Sequence, residues 1–326
     1  MPKRNRRILI FNPYQTTMKK ILVPTDFSEC AEAATQVAMA IAQKAGSEIY
    51  FLHLLSDDSE PSHVPRQESQ QIVTDEKRKK TGHATNELEK LVASANQSGI
   101  KAKQELVLNN GEERLEEYIK PFGIDLVVMG SNGVRGLKEV FIGSNTERLI
   151  WHSPVPVLVI KNRLEKFELN NLVFVSDFQT DFIKPFEEIM KLASLWNAQL
   201  HLLYVNTPNH FRETNDVLAD MKRSMRQFPG IKYAPHIYDA SDEERGIHQF
   251  AMANKVDLIA LTTHGRTAFM ALTHSIAECL INHEQSPVLV VNLGAREKIQ
   301  SKEKNSLAYG FCSQAAEEAL AQQVHA

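Results

Sequence analysis

The sequence predicts an α/β protein made of two tandem, doubly wound open parallel sheets, and three observations support this fold class. The chain has 326 residues, about twice the roughly 150 residues that are usual for one domain. Short segments that are apolar throughout alternate with longer amphipathic segments, which is typical of parallel strands covered by helices on both faces. The pattern of the first half then recurs in the second half.

Four segments of the first half recur in the second half in the same order. The first of them contains Asp26, whose counterpart Asp177 lies 151 positions later. A fixed order of matched segments indicates a tandem duplication. The matched segments are 21–27 with 172–178, 49–54 with 200–205, 125–130 with 257–262, and 156–160 with 287–291.

Apolar residues at helical spacing predict the helices that cover these strands. The first helix is expected over 31–45, with Ser28 as the N-cap candidate before it and Gly46 as its stop. Strands separated by helices of this length form βαβ units in a doubly wound sheet. The remaining predicted helices are 87–95, 111–119, 186–195 and 214–226.

The domain boundary is expected in the polar segment 161–170, where the strand pattern stops. Outside the two domains we expect a disordered extension at the N-terminus, unless translation starts at Met18, and a polar tail with a weak helix over 313–324. The expected divisions are the extension at 1–17, a first domain at 18–162, a linker at 163–170, a second domain at 171–293 and the tail at 294–326.

The composition argues against several classes of function. Lys and Arg number 37 against 40 Asp and Glu, and the resulting net charge of −3 gives no electrostatic attraction to nucleic acid or to an anionic membrane. No apolar run approaches the ~18 residues of a membrane helix. Three widely spaced cysteines without a CxxC pair argue against a disulfide framework or a structural zinc site. We therefore expect a cytoplasmic protein.

The most specific motif is a glycine pattern in the first half. Gly130 and Gly133 follow a predicted strand, and Gly143 and Ser144 begin a predicted helix. Glycines let backbone N–H groups approach phosphate oxygens, and a helix N-terminus adds further donors and a favourable dipole. Ser144 and Thr146 hydroxyls can add hydrogen bonds. The spacing therefore indicates a phosphate site, the alternative being glycines that only make turns.

Other nucleotide and catalytic motifs are absent from the sequence. It has no GxxxxGK[ST] and no GxGxxG after the first strand, which argues against a P-loop NTPase and a dinucleotide Rossmann site. HExxH, GxSxG and the protein-kinase motifs are also absent. No catalytic constellation is visible, so we expect a protein that is not an enzyme, with slow hydrolysis of a bound phosphate compound left open.

At this point the residues resemble the universal stress protein family, whose signature is Gly-x2-Gly-x9-Gly-Ser/Thr in an adenine-nucleotide-binding, Rossmann-like α/β fold. Gly130, Gly133, Gly143 and Ser144 match that signature in full. The opening KKILVPTDFS, the strand end FLHLL and the closing HSPVPVLVIK also look like that family. The resemblance covers 18–162 well and 170–292 more loosely.

The resemblance implies an ATP site in the first half, with Mg²⁺ bridging the phosphates. Asp26 would face the ribose or the base, although a place beside the helix N-cap is an alternative reading of this residue. The backbone of Leu54 would meet the adenine edge, with Met129 packed beside it. The implied cofactor-binding residues are Pro24, Thr25, Asp26, Leu54, Met129, Gly130, Ser131, Gly133, Gly143, Ser144, Asn145 and Thr146.

The second half departs from the family pattern. It keeps Asp177 and Gly265, but Thr262 stands where the first glycine belongs and His274 stands before Ser275. The loop is also one residue shorter. Because these changes add bulk or shift the register near a phosphate, we expect no ATP binding in the family manner in this half. Another ligand stays open, including a hydrophobic one under a lid at 211–228, for which core packing is the alternative.

The last strand of each half is expected to pair with the other. In the family, this strand commonly pairs two protomers, and here 157–160 and 288–291 could pair within one chain. Such a pairing would cover two apolar edges that otherwise favour aggregation. We therefore expect an intramolecular pseudo-dimer, with a further homodimer left open.

The leading hypothesis is a stress-response protein that binds ATP in its first half and acts as a nucleotide-dependent regulator or interaction module for an unidentified protein partner. One alternative is a nucleotidyl-transferring enzyme, which would need a loop such as SGGxDS where the chain has Thr25-Asp26-Phe27-Ser28. Another alternative is a nucleotide-free interaction scaffold, which leaves the glycine pattern unexplained.

Overall fold

The computed structural model describes residues 18–56, 66–109, 114–131, 142–179, 183–263 and 270–292. The expected extension at 1–17, the tail from 294 with its helix, Gly133 and Gly265 lie outside these residues. None of the helices within the described ranges combines the length and apolarity needed to cross a membrane.

Strands and helices alternate along both halves. The first half contains β1 Lys20–Pro24, α1 Glu29–Ala45, β2 Glu48–Ser56, α2 Arg66–Gln97, β3 Ala102–Asn109, α3 Glu116–Phe122, β4 Leu126–Gly130, α4 Ser144–His152 and β5 Val157–Ile160. The second half contains β6 Asn171–Val175, α5 Ile183–Trp196, β7 Gln199–Asn206, α6 Thr214–Met225, β8 Tyr233–Asp239, α7 Glu243–Ala253, β9 Leu258–Thr263, α8 Met270–His283 and β10 Val288–Asn292.

Local signals define the ends of α1 as the sequence predicts. The Ser28 side chain accepts a hydrogen bond from the Ala31 N–H at 3.3 Å and so caps the first turn. Gly46 ends the helix in the left-handed conformation at φ 71°, which glycine adopts without a Cβ clash. The apolar face of the helix is buried against the sheet, and Ile41 is fully buried.

The ten strands form one continuous sheet in the order β3-β2-β1-β4-β5-β10-β9-β6-β7-β8. Among the described strands, neighbours are parallel within each half, and β5 pairs with β10 in the antiparallel direction. Helices pack on both faces, so the central strands are buried throughout. The predicted fold class, two doubly wound parallel sheets joined as a pseudo-dimer, is confirmed.

The join between the halves is the predicted pairing of their last strands. Leu158 lies directly opposite Leu289, and both side chains are almost fully buried. Their pairing covers the apolar edges that each half would otherwise expose.

Two side-chain contacts beside this join are related by the duplication. The Lys161 ammonium, just after β5, donates to the Asn282 carbonyl near the end of α8. The Asn292 amide, at the end of β10, donates to the Trp151 carbonyl near the end of α4. Because each partner in one contact lies 131 positions from its counterpart, the two contacts follow a pseudo-two-fold axis.

The segment 161–170 contains no helix or strand, in keeping with the interruption of the strand pattern. Phe167 and Leu169 are nevertheless buried. The Phe167 ring meets the Trp196 ring edge-on at 5.2 Å, and the Lys44 ammonium lies 4.9 Å from the centre of that indole ring. The Phe167 ring of the connection therefore packs on the second half, and Lys44 of the first half contacts the same indole.

Candidate functional site

The candidate site lies where the strand order of the first half reverses. The chain builds β1, β2 and β3 outward in one direction and then crosses over to place β4 on the other side of β1. Helices that leave β1 and β4 diverge at such a switch point, and ligands of open α/β sheets bind there, beyond the carboxyl ends of the strands. Asp26 follows β1 and Gly130 ends β4, so both residues stand at this switch point.

A tight turn carries the chain from β1 into α1. The Thr25 hydroxyl oxygen accepts from the Phe27 N–H at 3.0 Å, and Asp26 Oδ1 accepts from the Ser28 N–H at 3.1 Å. Phe27 adopts φ 63°, an uncommon conformation for a residue with a large side chain. Its ring packs on His53 with centroids 4.6 Å apart, and His53 Nδ1 lies 2.7 Å from the Thr25 carbonyl oxygen.

The half-buried Asp26 therefore already takes part in the turn, the role that the alternative reading gave it. The Ser28 N–H uses one of the roughly four lone-pair sites that the two oxygens of a carboxylate offer. Shaping the turn and facing a ribose are thus compatible roles for this side chain.

Gly130 allows α1 to approach the end of β4. A Cβ at this position would lie 2.9 Å from the carbonyl carbon of Cys30, which is closer than Cβ atoms come to non-bonded neighbours in real structures. The sequence suggested that this glycine brings the backbone close to a phosphate. The structure shows a close approach to the backbone of α1, and Cys30, which sequence reasoning did not select, is the residue that requires it.

Hydrogen bonds join the two ends of the glycine loop. The Gly143 N–H donates to the Ser131 carbonyl at 2.9 Å, and the Thr146 hydroxyl donates to the Gly130 carbonyl at 3.0 Å. The Ser131 N–H donates to the Ile160 carbonyl at 3.0 Å and extends the sheet. These bonds hold the start of α4 beside the end of β4, so the Thr146 hydroxyl positions the loop ends.

The first turn of α4 is open to a ligand. Gly143 is its N-cap residue and, lacking a side chain, makes no capping bond to the backbone donors of this turn. Ser144 and Asn145 are exposed there. The helix N-terminus therefore offers N–H groups and a partial positive charge at the switch point, which suits an anion.

The remaining predicted residues form the wall on the side of β2. The Thr25 N–H donates to the Leu52 carbonyl at 2.8 Å, the last bond of this kind between β1 and β2. Because backbone groups alternate between the two edges of a strand, Leu54 directs its N–H and carbonyl to the same edge as Leu52, past the end of β1. Pro24 and Met129 are buried behind this wall.

The structure thus brings eleven of the twelve predicted site residues to one edge of the sheet, and the twelfth, Gly133, lies outside the described residues. Sequence reasoning missed Cys30, Phe27 and His53, which shape the turn and the approach of α1. No motif points to these three residues, since their roles depend on contacts between separate strands and helices.

The equivalent place in the second half is built differently. Thr262 and Thr263 stand at the end of β9, and both side chains are buried. The turn after β6 is retained, because Phe178 has φ 56° and Asp177 Oδ1 accepts from the Gln179 N–H at 3.0 Å.

A polar network also covers the carboxyl ends of β6 and β7. The Arg212 guanidinium donates to the Asp177 carbonyl at 3.1 Å, forms an ion pair with Asp220 and lies 5.7 Å from the centre of the Tyr204 ring. The Arg212 N–H donates to the Asn206 side chain at 3.0 Å. A side chain of the protein thus lies across Asp177, the counterpart of Asp26.

The segment at 211–228 includes one exposed and one buried phenylalanine. Phe211 is 70% exposed, whereas Phe228 is buried and packs on Phe186 with ring centroids 4.5 Å apart. At Phe228 the structure therefore shows core packing, the alternative to a lid.

Comparison with known proteins gives a family match in both halves. The family model described as the universal stress protein family matches residues 17–161 and 170–292. A universal stress protein of Methanocaldococcus jannaschii is 32% identical over 156 residues, which cover 44% of this chain and 96% of that protein. A second universal stress protein of the same archaeon is 29% identical over 143 residues, which cover 44% of this chain and 82% of that protein.

Solved structures share the fold over most of the chain. The crystal structure of a universal stress protein from Archaeoglobus fulgidus has a TM-score of 0.66 and 20% identity, covering 85% of this chain and 99% of that one. A functionally unknown protein of Pseudomonas aeruginosa has a TM-score of 0.58 and 17% identity, covering 89% and 99% respectively.

Proposed function

The chain belongs to the universal stress protein family, and on this premise we propose that it binds ATP in its first half and acts as a nucleotide-dependent regulator. One observation supports this more than any other. Three separate segments, the turn after β1, the end of β4 and the uncapped start of α4, meet at the topological switch point of the sheet. This is the place where open α/β sheets bind nucleotides.

The donor set at this edge suits a nucleotide. The start of α4 offers backbone N–H groups to phosphate oxygens, with the Ser144 and Asn145 side chains exposed beside them. The Asp26 carboxylate is an acceptor for ribose hydroxyls. The backbone edge of Leu54, past the end of β1, presents one donor and one acceptor, the pair that an adenine edge needs. When bound, Mg²⁺ would be held mainly through phosphate oxygens.

The second half is proposed not to bind ATP in this way. Thr262 adds a side chain at the position where Gly130 allows a close approach, and Arg212 crosses the Asp177 turn. Removing Arg212 from Asp177, Asp220 and Tyr204 to admit a ligand would break an ion pair whose two side chains are less than one-fifth exposed.

Titration calorimetry with MgATP on the full chain, stripped of any co-purified nucleotide, tests this function. We expect one site per chain and a loss of at least about tenfold in affinity, or about 1.4 kcal/mol, in a Gly133→Val/Gly143→Val variant. Gly143 has φ −62° and ψ 141°, which valine adopts readily, so this change adds no backbone strain. Gly265→Val in the second half is the matched control.

Absence of binding by the unaltered chain would overturn the proposal, and so would an equal loss in the Gly265→Val control. Two sites per chain would refute the assignment of the second half. The regulatory role is proposed to work through the surface around the occupied site, which a protein partner would bind. The proposed function involves binding of ATP without rapid turnover. Robust phosphate release would contradict the expectation that the protein is not an enzyme.

A further inference from the structure

Three side chains with metal-binding groups meet in the second half of the chain, outside the candidate nucleotide site of the first half. Cys279 and His283 lie one turn apart on α8, and Glu244 lies in the first turn of α7. His283 Nδ1 is 3.3 Å from Cys279 Sγ and 2.8 Å from Glu244 Oε1. One potential ligand atom from each residue lies within 4.8 Å of the other two.

The duplication supplies an internal comparison for this cluster. At the position equivalent to Cys279, the first half has Arg148, whose Nε forms an ordinary ion pair with Glu116 at 3.0 Å. His152 is the equivalent of His283. The first half thus has a cation of its own beside a carboxylate, whereas the second half has a thiol and an imidazole there.

The surroundings of the thiol are acidic and do not favour a reactive cysteine. The carboxylates of Glu244 and Asp242 lie close enough to the Cys279 thiol to interact with it electrostatically. A nucleophilic or redox-sensing cysteine needs a lowered pKa and positive surroundings. The cluster instead combines two acidic groups with a thiol and an imidazole, which is a suitable environment for a bound cation.

We propose that Cys279, His283 and Glu244 form a zinc site that ties the start of α7 to the end of α8. Thiolate, imidazole and carboxylate are the ligands that Zn²⁺ takes in proteins. Zinc bonds of 2.0–2.3 Å in a tetrahedron place neighbouring ligand atoms roughly 3.4–3.6 Å apart, so the observed separations need to widen by only about half an ångström. His283 and Glu244 are 57% and 38% exposed, so the ion has an entry route and water can take the fourth position.

This site differs from the zinc site that the cysteine count argued against. A structural site built on several cysteines needs thiols that lie close together, whereas the three cysteines here are widely spaced and a mixed site needs only one of them. Glu244 is also 35 positions away from Cys279 in the sequence, so only the packing of α7 on α8 brings the three groups together.

Titration with Co²⁺, followed by competition with Zn²⁺, tests this site. The protein is the tag-free full chain carrying Cys30→Ala and Cys312→Ala, so that Cys279 is its only thiol. We expect one equivalent of Co²⁺, with intense visible bands of tetrahedral cobalt and a thiolate-to-cobalt charge-transfer band, all displaced by Zn²⁺. Cys279→Ala should abolish the charge-transfer band. His283→Ala and Glu244→Gln should weaken binding more than about 100-fold, since removing even an outer-shell partner costs 10–100-fold.

The matched control is His152→Ala, the equivalent change in the first half, which should leave the titration unchanged. Because none of the three ligand residues is fully buried, we expect the variants without metal to keep the circular dichroism spectrum of the parent. Zinc should raise the melting temperature of the parent but not of the Cys279→Ala variant. No binding, binding that survives all three substitutions, or binding without the charge-transfer band would each overturn the proposal.

Discussion

Individual residues at the candidate site determine how closely the helices α1 and α4 approach the end of β4. Position 130 needs a glycine because the Cys30 backbone lies against it. The Thr146 hydroxyl donates a hydrogen bond to the Gly130 carbonyl. Both residues were selected from the sequence as ligand contacts. The structure gives each residue a local role that fixes where the backbone of the candidate site stands.

Replacing Gly130 with alanine should lower the free energy of unfolding by about 1–3 kcal/mol, the usual cost of overpacking. The new Cβ would lie 2.9 Å from the Cys30 carbonyl carbon, and backbone cannot move aside as a flexible side chain can. Urea denaturation measures the change. Gly82→Ala is the control, because an added Cβ meets nothing there within 4 Å and alanine favours the helix. Equal effects of the two substitutions would contradict the packing role of Gly130.

Thr146→Val should destabilise the protein by about 1–3 kcal/mol, because the Gly130 carbonyl loses a donor at a buried position. Thr146→Ser keeps the hydroxyl and should retain most of the stability. The same order is expected for MgATP affinity by calorimetry, since the bond positions the start of α4. A valine variant that binds as tightly as the serine variant would exclude a positioning role.

Whole elements show where the sequence could predict the fold. The central strands were predictable because they are apolar throughout, as in β4 and β10. The edge strands β3 and β8 were missed. They are only partly buried, and they include polar residues such as Gln104 and a proline, Pro235, which edge strands tolerate. The candidate site was likewise predictable only in part. The glycine spacing is local and can be read from the sequence, whereas the contact between Gly130 and Cys30 depends on how α1 packs against β4.

Two neighbouring strands of the second half carry a buried histidine, His201, and a half-buried one, His236. His201 on β7 and His236 on β8 have ring nitrogens 3.0 Å apart, and both rings pack near Phe250. Burial lowers the pKa of His201, and burial together with His201 lowers that of His236. The folded state therefore binds these protons more weakly than the unfolded state does.

The free energy of unfolding should therefore be highest above about pH 6.5, the pKa of histidine in the unfolded chain. It should decrease as the pH falls from there through the lowered folded-state pKa values of the two histidines. Chemical denaturation at a series of pH values from about 8 to 5 measures this slope. His236→Gln should make the slope shallower, whereas His152→Gln, at the exposed end of α4, should not change it. A slope that is the same in all three proteins would refute the role of the pair.

At the scale of the whole molecule, the two halves share one sheet and one continuous set of cores. Buried residues of both halves belong to the same apolar clusters on each face, and the Leu158–Leu289 pair lies at the centre of the sheet. Neither half can lose its last strand without exposing the apolar edge of the other. We therefore expect a single cooperative unfolding transition.

The chain has two tryptophans, Trp151 in the first half and Trp196 in the second, so single-tryptophan variants report each half separately. Their denaturation curves should coincide. Leu289→Ala should shift both curves together, with a loss of about 2–5 kcal/mol. Curves that separate, or a shift confined to Trp196, would show that the halves unfold independently.

The central claim is one nucleotide site, located in the first half, and the duplication allows it to be tested within one sample. Hydrogen exchange with and without MgATP compares 24–31, 129–131 and 143–150 with their counterparts 175–182, 261–263 and 274–281. We expect added protection in the first set and none in the second, because Arg212 and Thr262 alter the second site. Protection in the second set, or in neither, would contradict the account.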